Sequence, residues 1–375
     1  MSNDGVLIIP AETNGYPVTS VDGYPFPPYQ SAYLTSVTIP GSITNIGYQA
    51  FSGCVDMTNL QFGAGVLRIR NGAFSSCHKL PSVVLPDSMT NIDNAFSYCG
   101  QLTNITIGKG LMGIGGWAFF QCPKLARFSV DPLNPFLSSA DDVLFNKDQT
   151  ALLACGTAHG PGYLIPQTVT NIGNFAFAQC TNLTAITIPD TVTSLGTNVF
   201  YQCTGLTNVL IGNGVTSIPV YTFQSCSNLL SITFSASVTN TTSYAFGSCK
   251  RLSSIYFLGD VPSGSYPTLF ASSTNGVVYY LPGAVGWGPT FGGLPTMQLG
   301  LPMQSVKLNT SSPAKQFDFD INWANGKTVV IEATTNLANP DWLPIATNNV
   351  GVDPAYFSDP DLDNHTTRFY RIHSQ

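Results

Sequence analysis

The chain has 375 residues, a hydrophobic content of 43%, a charged fraction of 9% and a formal net charge of −6. An average soluble protein is about 25% charged, so Thr, Ser, Asn and Gln must supply most of the polar surface here, as is common in secreted and cell-surface proteins. The acidic balance argues against nucleic-acid partners, which need a basic patch, and the lack of a run of about 18 apolar residues argues against a transmembrane segment.

The first residues, Met1-Ser2-Asn3-Asp4-Gly5, lack the basic and apolar regions of a signal peptide. The alternatives are that a signal peptide was trimmed or that the protein is not exported. The surface composition favours trimming, so we expect a secreted or cell-surface protein.

Residues 5–33 are predicted to form a degenerate first turn that caps a repeat array. Residues 6–10 match the strand of the later copies, and residues 18–21 match their second apolar step. A proline-rich and aromatic stretch at residues 24–29 replaces the regular turn. A terminal repeat must be atypical because it has no neighbour on one side.

Regular copies follow at intervals of 22 or 23 residues. They begin at Leu34, Met57, Leu80, Leu102 and Leu125, and the phase continues from Gly160 with Leu183, Leu206, Leu229 and Leu252. Numbering each copy from its first residue, positions 1, 4, 6, 10, 13, 17, 18 and 21 are apolar. One unit cannot bury these side chains alone, whereas stacked units can. Positions 4 and 6 alternate with polar residues, which predicts a strand, and such strands would pair in parallel at about 4.8 Å per coil.

Two copies depart from this length. The copy at residues 125–159 has 35 residues, and its extra part is predicted to be a turn at 131–135 followed by a small hairpin with Asn146-Lys147-Asp148 at its tip. Such an insertion is expected to project from one face. Residues 252–300 lose the regular turn and carry large aromatics among glycines, which predicts a C-terminal cap.

The L-x-x-L-x-L spacing resembles leucine-rich repeats. The Ile-Pro, Val-Thr-x-Ile-Gly and Ala-Phe-x-x-Cys steps resemble the BspA-like subfamily over residues 5–295. This resemblance implies a right-handed β-solenoid, on a bacterial surface or secreted, whose known members are adhesins or bind host proteins. Thr241 and Pro219 depart from the pattern in single coils.

Eight of the nine cysteines occupy position 21, and disulfides, metal binding and buried thiols are the alternatives. Parallel stacked side chains point the wrong way for a disulfide, and the spacing of 22 or 23 residues fits no zinc pattern. We therefore predict a column of buried thiols. Cys155 lies outside the column and is predicted to be the most accessible thiol.

Strand positions 2, 3 and 5 are predicted to face solvent as a lattice of hydroxyls and amides. One interpretation is that these residues are present only because they favour the strand conformation and keep an exposed sheet soluble. The other is a flat recognition surface for protein or glycan, more apolar toward its C-terminal end. The candidate binding residues are Thr38, Gln61, Thr106, Thr187, Leu210 and Tyr256.

The sequence offers no catalytic or cofactor pattern. The histidines His78, His159, His365 and His373 have no matching nucleophile or acid motif nearby, and no P-loop, GxSxG or HExxH pattern occurs. Turn chemistry explains Asp131, Asp141 and Asp142 better than calcium does. Asp359, Asp361 and Asp363 alternate as in a calcium loop but lack its glycine and glutamate, so they are weak calcium candidates. We predict a protein that is not an enzyme and needs no cofactor.

Residues 301–375 leave the repeat and contain six short strand-like runs separated by Gly, Asn and Pro, which predicts a small antiparallel β-sandwich. Residues 332–337, Trp342 and residues 368–372 resemble C-terminal modules of verrucomicrobial secreted proteins. The whole chain is thus predicted to be a β-solenoid (residues 1–300) and a β-sandwich (301–375). The predicted function is binding or adhesion to protein or glycan; the alternative is a structural subunit that self-associates into a filament or surface layer.

Overall fold

A computed structural model describes residues 5–23, 25, 33–264, 267–281 and 283–299, and six segments of the remaining chain: 304–309, 316–321, 328–335, 342–349, 355–359 and 369–374. The chain divides into two compact units. One contains Met1–Tyr280 and Ala284–Met297, and the other contains Leu281–Gly283 and Gln298–Gln375. The described residues contain no α-helix, and none of them forms a helix that could span a bilayer.

The strands are short and follow the repeat. Before the enlarged copy they are β1 (Val6–Ile8), β2 (Glu12–Thr13), β3 (Tyr16–Pro17), β4 (Ser20–Val21), β5 (Ser36–Ile39), β6 (Asn45–Ile46), β7 (Asn59–Phe62), β8 (Arg68–Ile69), β9 (Ser82–Leu85), β10 (Asn91–Ile92), β11 (Asn104–Ile107) and β12 (Arg127–Val130). The enlarged copy adds β13 (Leu137–Ala140), β14 (Val143–Asn146) and β15 (Ala151–Cys155). The later coils contain β16 (Asn171–Ile172), β17 (Ala185–Ile188), β18 (Ser194–Leu195), β19 (Asn208–Ile211), β20 (Ser217–Ile218), β21 (Ser231–Phe234), β22 (Asn240–Thr241), β23 (Ser254–Phe257) and β24 (Val277–Tyr280). The solenoid ends with β25 (Thr290–Phe291) and β26 (Leu294–Gln298), and the second unit contains β27 (Gln304–Asn309), β28 (Gln316–Ile321), β29 (Thr328–Thr334), β30 (Leu343–Asn349), β31 (Ala355–Ser358) and β32 (Phe369–Ser374).

The solenoid has about eleven turns, and its coils of about 23 residues stack with their strands in parallel. The four-residue strands form a first row, in which β5 pairs with β7 and β17 pairs with β19 at equivalent repeat positions. The two-residue strands form a second row, for example β6 with β8. Within each four-residue strand buried and exposed residues alternate, because side chains of a strand point to opposite faces. The predicted solenoid fold is confirmed.

The third side of each coil is a turn whose phenylalanine stacks on that of the next coil. The ring centroids of Phe51 and Phe74 are 5.3 Å apart, as are those of Phe74 and Phe96. The backbone also links these turns, since the Phe51 N–H donates to the Ala73 carbonyl at 2.7 Å. This contact recurs between regular coils, as in Phe177, Phe200 and Phe223, and stacks buried aromatic rings along the core.

The cysteine column consists of buried, unbridged thiols, and all nine cysteines of the chain are in that state. Each column thiol from Cys77 onward, except Cys180, lies within hydrogen-bonding distance of the phenylalanine carbonyl of the preceding coil, as Cys226 does with Phe200 at 3.1 Å. The predicted column is therefore correct. The prediction for Cys155 is wrong, because that side chain is only 7% exposed and packs in the core beside Cys180.

The enlarged copy also differs from its prediction. Its strands form a three-stranded antiparallel meander rather than one hairpin, with Asp141 and Asp142 at the first turn in the left-handed region (φ 49° and 59°). Asn146 ends β14, and Lys147 and Asp148 begin the second turn. The insertion does not leave the core unchanged: Leu144 packs in the core of the preceding coils and Phe145 in that of the following coils. Hydrophobic burial rather than projection thus explains the extra residues.

Both ends of the array depart from the regular coil. At the start, β1 pairs with β5 and β4 pairs with β6, so the first turn continues both strand rows; residues 24 and 26–32 lie outside the described part. At the end, the Trp287 ring packs against Phe257, Tyr280 and Phe291 at centroid distances of 5.1 to 5.4 Å.

The second unit contains two three-stranded antiparallel sheets, β27-β28-β31 and β30-β29-β32. Phe357 of the first sheet contacts Tyr370 of the second at a centroid distance of 6.4 Å, which fits the predicted small β module. Asp359 is 3% exposed and accepts a hydrogen bond from the Tyr370 hydroxyl. The other two calcium candidates, Asp361 and Asp363, lie outside the described residues.

Candidate binding surface

The first strand row presents three lines of outward side chains, at repeat positions 2, 3 and 5. We call the last of these the position-5 row. Backbone register aligns its members coil by coil; Thr38 faces Gln61, and Thr187 faces Leu210. The row consists of Thr38, Gln61, Val84, Thr106 and Ser129, and then Thr187, Leu210, Thr233, Tyr256 and Tyr279.

Position-2 side chains serve the fold. The Thr58 hydroxyl donates to the Thr35 carbonyl at 3.2 Å, and the Thr207 hydroxyl donates to the Thr184 carbonyl at 2.9 Å. Each hydroxyl thus binds the backbone of the preceding coil at the same repeat position. The abundance of threonine at position 2 therefore reflects coil-to-coil hydrogen bonding.

Position-3 side chains are partly engaged with one another. The Asn59 side-chain amide donates to the Ser36 hydroxyl at 2.9 Å, and the Ser231 hydroxyl donates to the Asn208 side-chain oxygen at 2.7 Å. These bonds run between neighbouring strands and tie up the groups that a ligand would need. Cross-strand pairs of this kind contribute about 0.2–1 kcal/mol each.

The position-5 row is different, because its polar side chains make no hydrogen bond within the described residues. Gln61, Thr187 and Leu210 are exposed, whereas Thr38, Thr106 and Tyr256 are half-exposed. All six predicted binding residues belong to this row. It offers hydroxyl and amide groups at one strand spacing, about 4.8 Å apart, and none of its members carries a charge.

The structure separates these six residues into groups that the sequence did not distinguish. No backbone ladder joins β12 to β17 in the described part, so Thr106 and Thr187 lie on different segments of the sheet. The ladder is also interrupted between β7 and β9. Pro81 occupies position 2 there and has no N–H to donate.

The interruption at Pro81 opens a shallow groove of about 480 Å³. Gln61 and Val84 face each other across it, and Val84 is 60% exposed. Sequence reasoning missed Val84, although the repeat register alone places it in the position-5 row.

The apolar end of the row contains a second missed residue. Tyr279 follows Tyr256 on the next strand, and their rings stack at a centroid distance of 5.1 Å with an interplanar angle of 18°. The alternating pattern of residues 277–280 could have placed Tyr279 there. The pair presents a flat aromatic surface, a feature that suits both sugar rings and protein side chains.

The described residues contain no group of three or more His, Cys, Asp or Glu side chains that could hold a metal ion. Asp131 accepts the Leu133 N–H at 2.8 Å, and Asp142 lies 3.4 Å from the Arg127 guanidinium. The Asp131 contact is the turn chemistry that was predicted for this residue, whereas the Asp142 ion pair was not predicted.

Comparison with known proteins agrees with the fold. The sequence matches a family model described as a BspA type leucine rich repeat region, in six copies, over residues 23–146 and 163–275. The gap between the two matched ranges falls within the enlarged copy and the start of the next. No curated protein matches the sequence.

Two crystal structures illustrate the similarity. A leucine rich cell surface protein from Faecalibacterium prausnitzii A2-165 has a TM-score of 0.53 and 25% identity, covering 76% of this chain and 89% of that one. A leucine-rich repeat protein from Eubacterium ventriosum has a TM-score of 0.54 and 19% identity, covering 82% of this chain and 95% of that one. The second is a likeness of fold alone.

Proposed function

Because the chain belongs to the BspA-type leucine-rich repeat family, we propose that it is a secreted or cell-surface binding protein that recognises a protein or glycan ligand through the position-5 row. One observation carries the proposal. The polar side chains of this row make no hydrogen bond in the part of the chain that the structure describes, whereas those at position 2, such as Thr58 and Thr207, donate to the preceding coil. The similar Faecalibacterium prausnitzii protein is described as a cell surface protein, which supports the location.

A ligand on this surface would replace the water molecules that hydrate the hydroxyl and amide groups of the row. It would do so without breaking any hydrogen bond between coils. Two places favour affinity within the row. One is the groove beside Gln61 and Val84, and the other is the stacked pair of Tyr256 and Tyr279. Aromatic residues are enriched at binding hot spots, so we expect the tyrosine pair to contribute most.

The test uses arrays of extracellular proteins and of glycans probed with the whole chain. The Thr187→Lys and Tyr256→Ala variants are expected to lose at least tenfold in affinity for any ligand found. Met112→Lys is the matched control, because Met112 is 58% exposed but precedes the second strand row. Retained binding in both row variants, or loss in the control alone, would contradict the position-5 row as the site.

Self-association is the second candidate function, and an exposed apolar side chain in the first coil favours it. Ile8 is 70% exposed. An exposed apolar side chain at the end of the array offers a contact to a second copy of the chain. Electron microscopy at high concentration is expected to show filaments that Ile8→Lys abolishes; monomeric particles throughout would count against this function.

A further inference from the structure

The enlarged copy leaves a notch in the third side of the solenoid. In regular coils a full outer turn joins the second strand row to the next coil. Here the chain passes from β15 through Gly156 to Gly160 and omits that turn. The outer turn at residues 117–121 therefore faces the outer turn at residues 174–179, and no turn lies between them.

The notch interrupts the stack of buried phenylalanines. Position 18 holds a phenylalanine that is fully buried in most coils, as in Phe96 and Phe177. At the notch Cys155 takes this place, since its N–H donates to the Ala176 carbonyl at 2.6 Å as a position-18 residue does. Phe119, on the near side, is consequently only partly buried, and its centroid distance to Phe96 is 6.3 Å instead of 5.3 Å.

A cavity of about 210 Å³ occupies the space that the missing ring would fill. Its lining includes Phe119, Phe128, Leu153, Ala154 and Ala176. An apolar cavity of about 150 Å³ in another protein is known to bind benzene, so this one has room for a benzene-sized side chain.

The walls of the cavity carry backbone groups that the fold leaves without partners. In regular coils the N–H groups at positions 18 and 20 donate to carbonyls of the next coil, as Phe96 does to Ala118 and Tyr98 to Phe120. The N–H groups of Phe119 and Gln121 are the equivalents at the notch. Neither makes a hydrogen bond within the described residues, and neither does the Ala178 carbonyl on the opposite wall.

Side chains hold the two walls at a fixed separation. The Trp117 and Phe175 ring centroids lie 4.5 Å apart, and the Gln179 side-chain amide donates to the Gln121 side-chain oxygen at 2.9 Å. These contacts lie across the outside of the notch, so a segment that enters between the walls displaces them, whereas the cavity beneath is already formed.

We propose that the notch binds an extended peptide segment with an aromatic side chain. The ring enters the cavity beside Cys155, in the volume that the smaller cysteine side chain leaves in the phenylalanine stack. The peptide's carbonyls accept from the Phe119 and Gln121 N–H groups, and a peptide N–H donates to the Ala178 carbonyl. This is strand addition, in which main-chain bonds supply affinity and a side-chain pocket supplies specificity. It is independent of the position-5 row, which lies on another side of the coil.

The probe is N-acetyl-Ala-Phe-Ala-methylamide carrying a 4-fluorophenylalanine, observed by ¹⁹F NMR with the whole chain. The matched probes are the Ala-Ala-Ala analogue, detected by competition, and 4-fluorotoluene, which supplies the ring without the backbone. We expect the aromatic peptide to bind at least tenfold more tightly than either. Equal binding of 4-fluorotoluene would reduce the site to an apolar cavity, and equal binding of the alanine peptide would remove the role of the ring; either result overturns the proposal.

Two variants fill the cavity, Ala154→Leu from β15 and Ala178→Leu from the wall at residues 174–179. Each variant is expected to bind the aromatic peptide at least tenfold more weakly than the wild type does, while its circular dichroism spectrum stays unchanged. Thr187→Lys is the control on the position-5 row and is expected to bind the probe like the wild type. No detectable binding to the wild type, or full binding to both folded filled variants, would overturn the proposal.

Discussion

The Cys203 thiol donates a hydrogen bond of 2.9 Å to the carbonyl oxygen of Phe177 in the preceding coil. Ser273 makes the equivalent bond to the Phe246 carbonyl at 2.7 Å, in the coil where serine replaces the cysteine. The position therefore requires a small side chain with a donor, and sulfur chemistry plays no part in its role.

Replacing Cys203 by serine is expected to destabilise the chain less than replacing it by alanine. Alanine loses the bond to Phe177 and leaves a small cavity, which together cost about 1–3 kcal/mol; serine keeps the donor. The free energy of unfolding from urea titration measures both. Equal losses in the two variants would show that packing alone determines the position.

Native-state alkylation is expected to modify none of the nine cysteines. All nine are buried, so the reagent cannot reach them. Burial also raises the pKa of the Cys155 thiol well above its usual value, so its reactive thiolate is scarce. Intact mass after iodoacetamide treatment at pH 8 measures this, with urea-unfolded protein as the control that takes up nine groups. Rapid modification of Cys155 in the native chain would contradict its buried position.

Stability is expected to fall as the pH rises above about 8.5, where unfolded thiols ionise. Burial is the main cause that raises the pKa of six thiols, to about 12 for Cys249. These are Cys77, Cys122, Cys155, Cys203, Cys226 and Cys249. These six thiols then bind more protons in the folded chain than in the unfolded chain, so each of them contributes a loss of about 1.4 kcal/mol per pH unit between its two pKa values. Hydrogen bonds with Cys122 and Cys77 lower the pKa of Cys99, so that thiol adds no loss in this range.

Urea titrations between pH 8 and 10 measure this dependence. Cys249→Ser is the control, because serine does not ionise in this range. The free energy of unfolding of this variant should fall less steeply with pH, by the contribution of one thiol. Stability that is constant up to pH 10 would show that the thiols ionise equally in both states.

The Phe119→Ala substitution is expected to lower the free energy of unfolding less than Phe200→Ala does. Phe200 is fully buried between Phe177 and Phe223, at centroid distances of 5.2 and 5.1 Å, and losing such a ring costs about 3–5 kcal/mol. Phe119 borders the notch and already lacks one neighbour. Urea titration compares the two, and equal costs would show that the stack is not interrupted at Phe119.

Much of the fold could be predicted from the order of apolar residues. Apolar residues recur at the positions of Val37, Ile39 and Phe51 because each coil buries the same side chains against its neighbours. A pattern of this kind can be recognised within a single copy of the repeat. The six strands of the second unit were predicted for the same reason, since short alternating runs between turn residues are local signals.

The candidate site was predicted only in part. All three outward lines share the same residue types, and nothing in the sequence says which threonine hydroxyl reaches the coil before it. That depends on contacts such as Thr58 with Thr35, made across 23 residues of chain. The position of Val84 beside an opened ladder likewise depends on a missing N–H at Pro81.

The coil length, the inward residues and the presence of an enlarged copy follow from the order of residues, because each is a property of one coil or its nearest neighbour. Three features follow only from packing in three dimensions: Cys155 enters the core, the insertion packs in both halves of the core, and a cavity remains beside Phe119. These features arise because the enlarged copy lacks an outer turn, so the outer turns on either side of it contact each other. That contact joins segments 50 to 60 residues apart in the chain, such as Trp117 and Phe175.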